Sequence, residues 1–258
     1  QSLSNWKAVK YWKEEGLHRV VLAREVGAEE MQKMKEEVDI EIEAFVHGAM
    51  CIAYSGRCVL SNHMTARDSN RGGCCQSCRW DYDLYENKDG EEVPLFEEGD
   101  APFAMSPKDL KLIESIPHMI ELGIDSLKVE GRMKSIHYVA TVISVYRKVI
   151  DAYCADPDNF QIKKQWLEEL SRCAIRATAS AFFESEPSYK QQMFGFHASK
   201  PKWDFAGLVL DYDAETQMVT MEQRNYFKPG DTVEFFGPDI ETFQMAVGEL
   251  WDEEGNEL

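Results

Sequence analysis

Helical and strand-like patterns of apolar residues alternate over the first 155 residues. Apolar side chains at helical spacing predict helices over 5–15, 28–37 and 134–153. Short apolar runs rich in β-branched residues predict strands over 18–23, 39–46 and 124–129. A further helix is predicted to begin at Ser106, because serine is a favoured N-cap and Pro107 suits the first helical position.

This alternation predicts an α/β domain with parallel strands, because helical crossovers join neighbouring parallel strands in such folds. Only about three strands are recognisable over residues 1–155, whereas open sheets usually contain more and an eight-stranded barrel needs eight. We therefore expect residues 1–155 to be the later part of a larger α/β domain.

Residues 204–258 show a different pattern. Short apolar segments recur there about every ten residues, separated by turn sequences such as 211–216 and 228–231. Such spacing predicts a small antiparallel β-barrel. We interpret residues 156–203 as a helical connection and linker between the two parts.

The charge of the chain is strongly negative and unevenly distributed. It contains 46 acidic and 28 basic residues, a formal net charge of −18, which excludes a general basic surface that coats nucleic acid. Residues 51–80 nevertheless carry four arginines against one acid, and residues 128–148 carry five basic residues against one acid. We expect an anionic ligand at these stretches, and a contact with the barrel domain or a protein partner for the acidic residues 204–258.

The sequence contains no sign of export or membrane insertion. No apolar run approaches the length of a membrane span, and no basic-then-apolar leader precedes the chain at Gln1. We therefore expect a cytoplasmic protein with no membrane partner. Because the first residue is not methionine, we also expect the natural N-terminus to lie further upstream.

Five of the seven cysteines lie within 28 residues, which favours metal binding over disulfides in a chain without a secretion signal. Their wide spacing suits an iron–sulfur cluster held by a long loop better than a zinc finger, with zinc as the alternative. Adjacent side chains rarely bind one centre together, so Cys74 and Cys75 are not both expected to be ligands. The predicted ligands are Cys51, Cys58, Cys74 and Cys78, with Cys75 as the alternative.

The segment from Glu43 to Ser61 closely resembles the signature of the collagenase-like peptidase family, which is grouped among peptidases of unknown mechanism (peptidase family U). The matching residues are Glu43, Phe45, Gly48, Ala49, Met50, Cys51, Gly56, Cys58 and Ser61. The resemblance continues at 67–68, 71–74, 77–80, 128–135, 222–225 and 235–238. It therefore covers nearly the whole chain.

The resemblance implies a fold and a function. Members have a TIM-type (β/α) barrel followed by a small β-domain, so the chain would contain the C-terminal part of the barrel with its Cys-rich loop. Several members act in hydroxylation and hold a 4Fe–4S cluster through cysteines of this region. The chain is most similar to the branch that helps to form 5-hydroxyuridine at the tRNA wobble position. That branch depends on prephenate as a co-substrate, and the chemistry implies an electron donor as a partner.

Peptidase activity, which the family name asserts, is the alternative. A peptidase needs a nucleophile with its base or a metal-activated water, and the sequence has neither a Gly-x-Ser-x-Gly elbow nor a His-Glu-x-x-His helix. His47 and Cys51 could form a catalytic pair, but four further cysteines nearby suit metal ligation better. We therefore predict an iron–sulfur enzyme that acts in tRNA hydroxylation.

Further site residues are predicted from their positions after the strands. His47, Glu130 and Arg132 follow predicted parallel strands, whose C-terminal ends form the active sites of barrels, and are predicted to be catalytic. The alternatives are a structural histidine and a capping or salt-bridge arrangement at 130–132. Arg24 and Glu25 are interpreted as a surface ion pair. The residues predicted to bind substrate are Arg57, Arg67, Arg71, Arg79, Lys128 and Lys134.

Overall fold

The computed structural model describes two compact units, Gln1–Lys200 and Pro201–Leu258. The described residues are 3–80, 82, 85–88, 91–94, 106–184, 186, 188–193, 203–237 and 240–258. Part of the predicted linker, residues 194–202, lies outside them.

The first unit contains alternating helices and strands. Helices α1 to α6 are Trp6–Glu14, Ala28–Glu37, Leu60–Thr65, Ile116–Glu121, Ile136–Ala155 and Lys164–Cys173. Strands β1 to β9 are Arg19–Val21, Glu41–Gly48, Tyr85–Lys88, Glu91–Pro94, Ser106–Pro107, Asp109–Lys111, Ser126–Val129, Thr178–Ala179 and Gln192–Met193. Short 3-10 turns lie at Ser69–Arg71, Ser77–Arg79, Ile113–Ser115 and Tyr189–Gln191.

Strand β2 is the centre of a five-stranded sheet. It pairs in parallel with β1 on one side and with β7 on the other. Its last two residues also pair with β6, which runs antiparallel to it and parallel to β8. Helix α2 joins β1 to β2, so the predicted parallel α/β arrangement is confirmed. Within the described residues this sheet is open, and its closure into a TIM-type barrel stays a prediction.

The two faces of β2 carry different side chains, because successive residues of a strand point to opposite sides. Ile42, Ala44 and Val46 are fully buried in the hydrophobic core together with residues of the helices. Glu41 and Glu43 lie on the opposite face and form ion pairs there. The sheet therefore has one apolar face that packs and one polar face.

Helix α5 confirms the helix predicted over 134–153. It begins after Ser135, whose Oγ accepts a hydrogen bond of 3.1 Å from the backbone N–H of Tyr138. Val142, Val145 and Val149 recur at helical spacing and are fully buried in the core. The helix is thus held by an N-cap at its start and by one apolar stripe along its length.

The helix predicted to start at Ser106 is wrong. Ser106 and Pro107 form the short strand β5, which pairs antiparallel with β9. Ser106 is buried, and its Oγ accepts a hydrogen bond from the Arg176 guanidinium instead of capping a helix. Strand β6 follows directly, and helix α4 begins only at Ile116. Pairing with a distant segment therefore overrides the local serine–proline signal.

The second unit contains two antiparallel hairpins. Strands β10 (Gly207–Asp213) and β11 (Met218–Gln223) form one, and β12 (Thr232–Gly237) and β13 (Ile240–Ala246) form the other. The predicted antiparallel strands are confirmed. The hairpins are separate two-stranded sheets within the described residues, so closure into a β-barrel stays a prediction. Among the helices that the structure describes, none has the length and apolar character needed to cross a membrane.

Candidate functional site

The candidate site lies where β2 and β7 end. The backbone N–H of Glu130 donates a hydrogen bond of 2.9 Å to the carbonyl of His47, which joins the two strand ends. Gly48 follows with φ of 108°, and a Cβ atom there would lie 2.2 Å from the Glu130 carbonyl oxygen. Only glycine fits this close approach. The next residues, 49–80, form the Cys-rich loop.

Short hydrogen bonds fix the middle of the Cys-rich loop. The carbonyl of Cys58 accepts hydrogen bonds from Ser69 Oγ at 3.1 Å and from Asn70 Nδ2 at 2.9 Å. The Asn70 side chain also accepts a bond from the Cys58 backbone N–H at 3.3 Å. These bonds tie the segment around Cys58 to the 3-10 turn Ser69–Arg71, so the parts of the loop before and after helix α3 are held together.

The five thiols of the loop separate into two environments. All seven cysteines of the chain are free thiols. Burial raises the pKa of Cys51, and it raises the pKa of Cys78 to about 11. Repulsion from the thiolates of Cys58 and Cys74 contributes to both shifts, so these four sulfurs are electrostatic neighbours.

Cys75 has further contacts of its own, although its charge also acts on Cys58. Its sulfur lies 3.3 Å from Ser61 Oγ and 3.4 Å from Thr65 Oγ1. Hydrogen bonds from these two hydroxyls lower the pKa of Cys75 to about 7. The Cys74 sulfur is also hydrogen-bonded, by the backbone N–H of Gln76 at 3.3 Å, so the choice of Cys74 over Cys75 as the ligand at this point of the loop stays a prediction.

The thiols fit a soft metal centre by their chemistry. Free cysteine thiols are the donors that iron–sulfur clusters and structural zinc require, and the loop offers five of them. Within the described ranges, no group of three or more His, Cys, Asp or Glu side chains is already arranged to hold a metal ion. The four-cysteine ligand set therefore stays a prediction, supported by donor type alone.

A buried ionic cluster, absent from the sequence prediction, anchors the end of the Cys-rich loop. Asp109 Oδ1 lies 2.7 Å from Arg79 Nη1, and its Oδ2 lies 3.2 Å from Lys134 Nζ. All three side chains are less than a tenth exposed. Burial acts to raise the pKa of Asp109, but the two cations outweigh it and hold that pKa below its ordinary value.

The Asp109 cluster changes the roles expected of two basic residues. Arg79 also donates a hydrogen bond of 3.2 Å to the carbonyl of Met50, so it joins the two ends of the Cys-rich loop. Arg79 and Lys134, which were predicted to bind substrate, are instead engaged with Asp109. The sequence did not predict this cluster, because the helix predicted to start at Ser106 would place Asp109 in an exposed first turn. Acidic residues are common in the first turn of a helix, so Asp109 did not stand out.

Arg132 contacts the Cys-rich loop directly. Its guanidinium donates to the carbonyl oxygens of Gly72 and Cys74, each at 2.5 Å, and its backbone N–H donates to Glu130 Oε1 at 3.2 Å. These bonds place Arg132 as a clamp on the backbone next to Cys74. They favour a positioning role for Arg132 over the predicted catalytic one, whereas the catalytic role of Glu130 stays a prediction.

His47, the second-last residue of β2, is buried against helix α5. It is 4% exposed, and its Nδ1 lies 3.2 Å from the hydroxyl of Tyr146 on α5. Burial lowers the pKa of His47 to about 4, so the side chain is neutral near pH 7. The Tyr146 hydroxyl in turn donates to the carbonyl of Val46 at 2.8 Å. This enclosed position favours the structural alternative for His47.

Arg24 and Glu25 do not form the predicted surface ion pair. Arg24 Nη1 lies 3.7 Å from Cys51 Sγ, and its guanidinium lies over the Phe45 ring, 4.0 Å from the centroid. Glu25 accepts hydrogen bonds from the backbone and side chain of Ser55, both at 2.9 Å. Arg24 and Glu25 therefore each contact the Cys-rich loop and do not pair with each other. Their adjacent positions in the sequence do not predict these contacts.

The remaining predicted substrate contacts differ in availability. Lys128 Nζ lies 2.6 Å from Glu43 Oε1 on the polar face of the sheet. Arg71 is largely exposed, and its contact with Asp68 is 3.7 Å long. Arg57 and Arg67 are exposed, and neither forms an ion pair with another described residue. Among the predicted substrate contacts, Arg57 and Arg67 are therefore exposed without an ion pair in the described part of the chain, and Arg71 is exposed with one long contact to Asp68.

Comparison with protein families gives a match over nearly the whole chain. Residues 1–193 match Peptidase family U32, and residues 201–258 match Peptidase family U32 C-terminal domain. Both units of the chain therefore correspond to recognised parts of one family.

Three relatives show how the chain compares with longer proteins. It is 75% identical over 258 residues to "tRNA hydroxylation protein P1" of Bacillus subtilis, covering all of this chain and 61% of that protein. It is 32% identical to "tRNA hydroxylation protein P" of Escherichia coli, covering 95% of this chain and 64% of that protein. It is 34% identical to "Collagenase" of Porphyromonas gingivalis, covering 96% and 62%. The chain thus spans about three fifths of the length of these relatives.

Proposed function

The chain belongs to peptidase family U32, and we propose that it is the cysteine-bearing part of an enzyme that hydroxylates tRNA at the wobble uridine to give 5-hydroxyuridine. The observation that carries this proposal is the 75% identity, over the entire chain, to a protein named for tRNA hydroxylation. The relatives named for the same activity in Escherichia coli and Haemophilus influenzae point the same way.

We propose that Cys51, Cys58, Cys74 and Cys78 hold a 4Fe–4S cluster, with zinc as the alternative. When bound, such a cluster supplies electrons that amino-acid side chains do not. The chain's own residues would hold the loop around it. Arg24 places positive charge beside Cys51, and Arg132 clamps the backbone at Cys74. Prephenate as a co-substrate and a separate electron donor belong to this proposal.

The paired strands support a barrel in the complete protein. Strands β1, β2 and β7 are parallel neighbours, and β1 and β2 are joined by α2. Charged residues occupy one face of this sheet, as Glu41, Glu43 and Lys128 show. We propose that these strands are the later part of a TIM-type barrel in the cytoplasmic enzyme, because the polar face then lines the barrel and the Cys-rich loop lies at the C-terminal ends of its strands.

The exposed cations of the Cys-rich loop support RNA binding at this end. Arg57, Arg67 and Arg71 extend from the loop while most of the chain is acidic. Phosphate binding by a few local arginines is compatible with an overall charge of −18, because attraction between ions is short-ranged at physiological ionic strength. We propose that these three residues contact tRNA. The acidic second unit would contact protein.

Peptidase activity is the second candidate, because one relative of 34% identity is named "Collagenase". The geometry gives it little support. His47 is buried against Tyr146, so it does not present its ring to an incoming peptide. Cys51 lies beside Arg24, and the other loop thiols are its electrostatic neighbours.

The test uses the full-length protein in its own cells. We expect tRNA from cells lacking the gene to lose 5-hydroxyuridine in nucleoside analysis, and full-length wild type to restore it. Cys58→Ser should fail to restore it and should lower the iron content of anaerobically purified protein. Cys154→Ser, which removes an exposed thiol on α5, is the matched control and should behave as wild type.

Two outcomes would contradict the proposal. Unchanged 5-hydroxyuridine in the deletion strain would remove the tRNA function, provided that no second gene supplies the modification in the strain used. Collagen cleavage by highly purified protein that is abolished by Cys58→Ser but not by Cys154→Ser would establish the peptidase alternative.

A further inference from the structure

The outer face of the Cys-rich loop, defined here as Tyr54, Arg57, Val59, Arg67 and Arg71, combines exposed apolar groups with cations. Tyr54 is 70% exposed and Val59 is 74% exposed. The three arginines are exposed as well. Aromatic rings beside arginines are the combination with which proteins bind unpaired nucleotides, because bases stack on the rings and phosphates pair with the cations.

Tyr54 is presented by a rigid turn. The backbone N–H of Arg57 donates to the Tyr54 carbonyl at 3.0 Å, which closes the turn. Between them, Ser55 donates two hydrogen bonds of 2.9 Å to the carboxylate of Glu25, which follows β1. The turn that carries Tyr54 is thus bonded to the segment after β1, so ordering of this turn adds little to the entropic cost of binding a ligand.

Arg57 and Arg71 lie on segments that are tied to each other. Cys58, directly after Arg57, is bonded to Ser69 and Asn70, so the turn with Tyr54 and the turn that carries Arg71 are held side by side. Buried Arg79 is neutralised by Asp109, whereas Arg57 and Arg67 have no ion pair among the described residues. Exposed positive charge therefore lies in the same turn as Tyr54, at Arg57, and on the neighbouring turn, at Arg71.

We infer that Tyr54 is a base-stacking residue for an unpaired nucleotide of the substrate RNA, with Arg57 and Arg71 holding the neighbouring phosphates. This inference rests on the proposed tRNA function and specifies how the RNA is recognised. A paired base is already stacked on both sides within its helix, so an exposed ring selects loops over duplexes. This face favours RNA over an acidic protein, because its flat ring can stack on a base while its cations bind the neighbouring phosphates.

The experiment measures RNA binding by full-length protein. The probes are a labelled RNA hairpin with an unpaired uridine-containing loop and a fully paired RNA duplex of the same length. We expect Tyr54→Ala to weaken binding of the hairpin by roughly tenfold and binding of the duplex by less than about twofold. Tyr54→Phe keeps the ring and should stay within about twofold of wild type on both probes.

Two controls separate stacking from other effects. Tyr11→Ala removes a tyrosine of α1 that is 54% exposed, and it should leave hairpin binding unchanged. Arg57→Gln and Arg71→Gln should each reduce the slope of log affinity against log salt by about 0.7, the value for one phosphate contact on a single strand. Iron content should be unchanged in all these variants.

The outcomes distinguish the inference from the proposed function. If wild type binds the hairpin and Tyr54→Ala binds it equally well, the inference is overturned while the tRNA function stands. Equal losses for Tyr54→Phe and Tyr54→Ala would also overturn it, since the ring would then not be the contact. If wild type binds neither RNA but captures a protein through this face, both the inference and the assignment of RNA to this surface are wrong.

Discussion

Replacing Asp109 by asparagine should destabilise the first unit strongly. The substitution keeps the size of the side chain but removes the charge that faces Arg79 at 2.7 Å and Lys134 at 3.2 Å. The two cationic side chains are only 8% and 5% exposed, so water cannot replace the lost carboxylate. Removing one partner of a buried ion pair costs about 3–5 kcal/mol, because the other charge stays buried and unpaired.

Equilibrium unfolding in urea, followed by far-UV circular dichroism, measures the free energy of unfolding for this comparison. We expect Asp109→Asn to lower it by about 3–5 kcal/mol in the transition that reports the first unit. The matched control is Asp151→Asn, which removes the partner of Arg147 in an exposed pair on α5. Exposed pairs contribute about 0–1 kcal/mol, so the control should change little.

A double variant tests the physical reason. If the loss arises from uncompensated buried cations, Lys134→Met in the Asp109→Asn background should recover part of the stability, because it removes one of those cations. A loss below about 1 kcal/mol in Asp109→Asn, or a double variant that is less stable than the single one, would refute this reasoning. Since Arg79 also bonds the Met50 carbonyl, Asp109→Asn should in addition lower the iron content of the full-length protein.

Three further predictions concern residues at the ends of β2 and β7. In urea unfolding, Gly48→Ala should lower the free energy of unfolding by about 2–5 kcal/mol, because the alanine would have a positive φ and would clash with Glu130. Gly230 also has a positive φ but has open space around it, so Gly230→Ala should cost only about 1–2 kcal/mol. The pKa of His47 is lowered to about 4, so the unfolded chain binds a proton at this histidine at higher pH than the folded chain does. Between pH 6.5 and pH 4, the free energy of unfolding should therefore fall by about 2.6 kcal/mol more in wild type than in His47→Gln. Arg132→Gln should lower the iron content of the protein while leaving its circular dichroism spectrum nearly unchanged. Equal losses of iron and of the circular dichroism signal would contradict this prediction.

Local patterns predicted the regular elements of the first unit well. The helix predicted over 134–153 appears as α5, and the strands predicted over 39–46 and 124–129 appear as β2 and β7. Each of these elements buries one apolar face or stripe, so the spacing of its apolar residues along the chain predicts it. The helix start predicted at Ser106 was wrong because its backbone pairs with β9, about 85 residues further along the chain.

Residue types and their spacing along the chain were enough to identify the family. The signature from Glu43 to Ser61 carries the resemblance, and the five clustered cysteines indicate the donor chemistry. Which side chains meet was decided only by the tertiary structure. The burial of Asp109 between Arg79 and Lys134, the clamp of Arg132 on the Cys-rich loop and the contact of Arg24 with Cys51 join segments far apart in sequence. Such pairings depend on how the strands pack, and no local pattern encodes them.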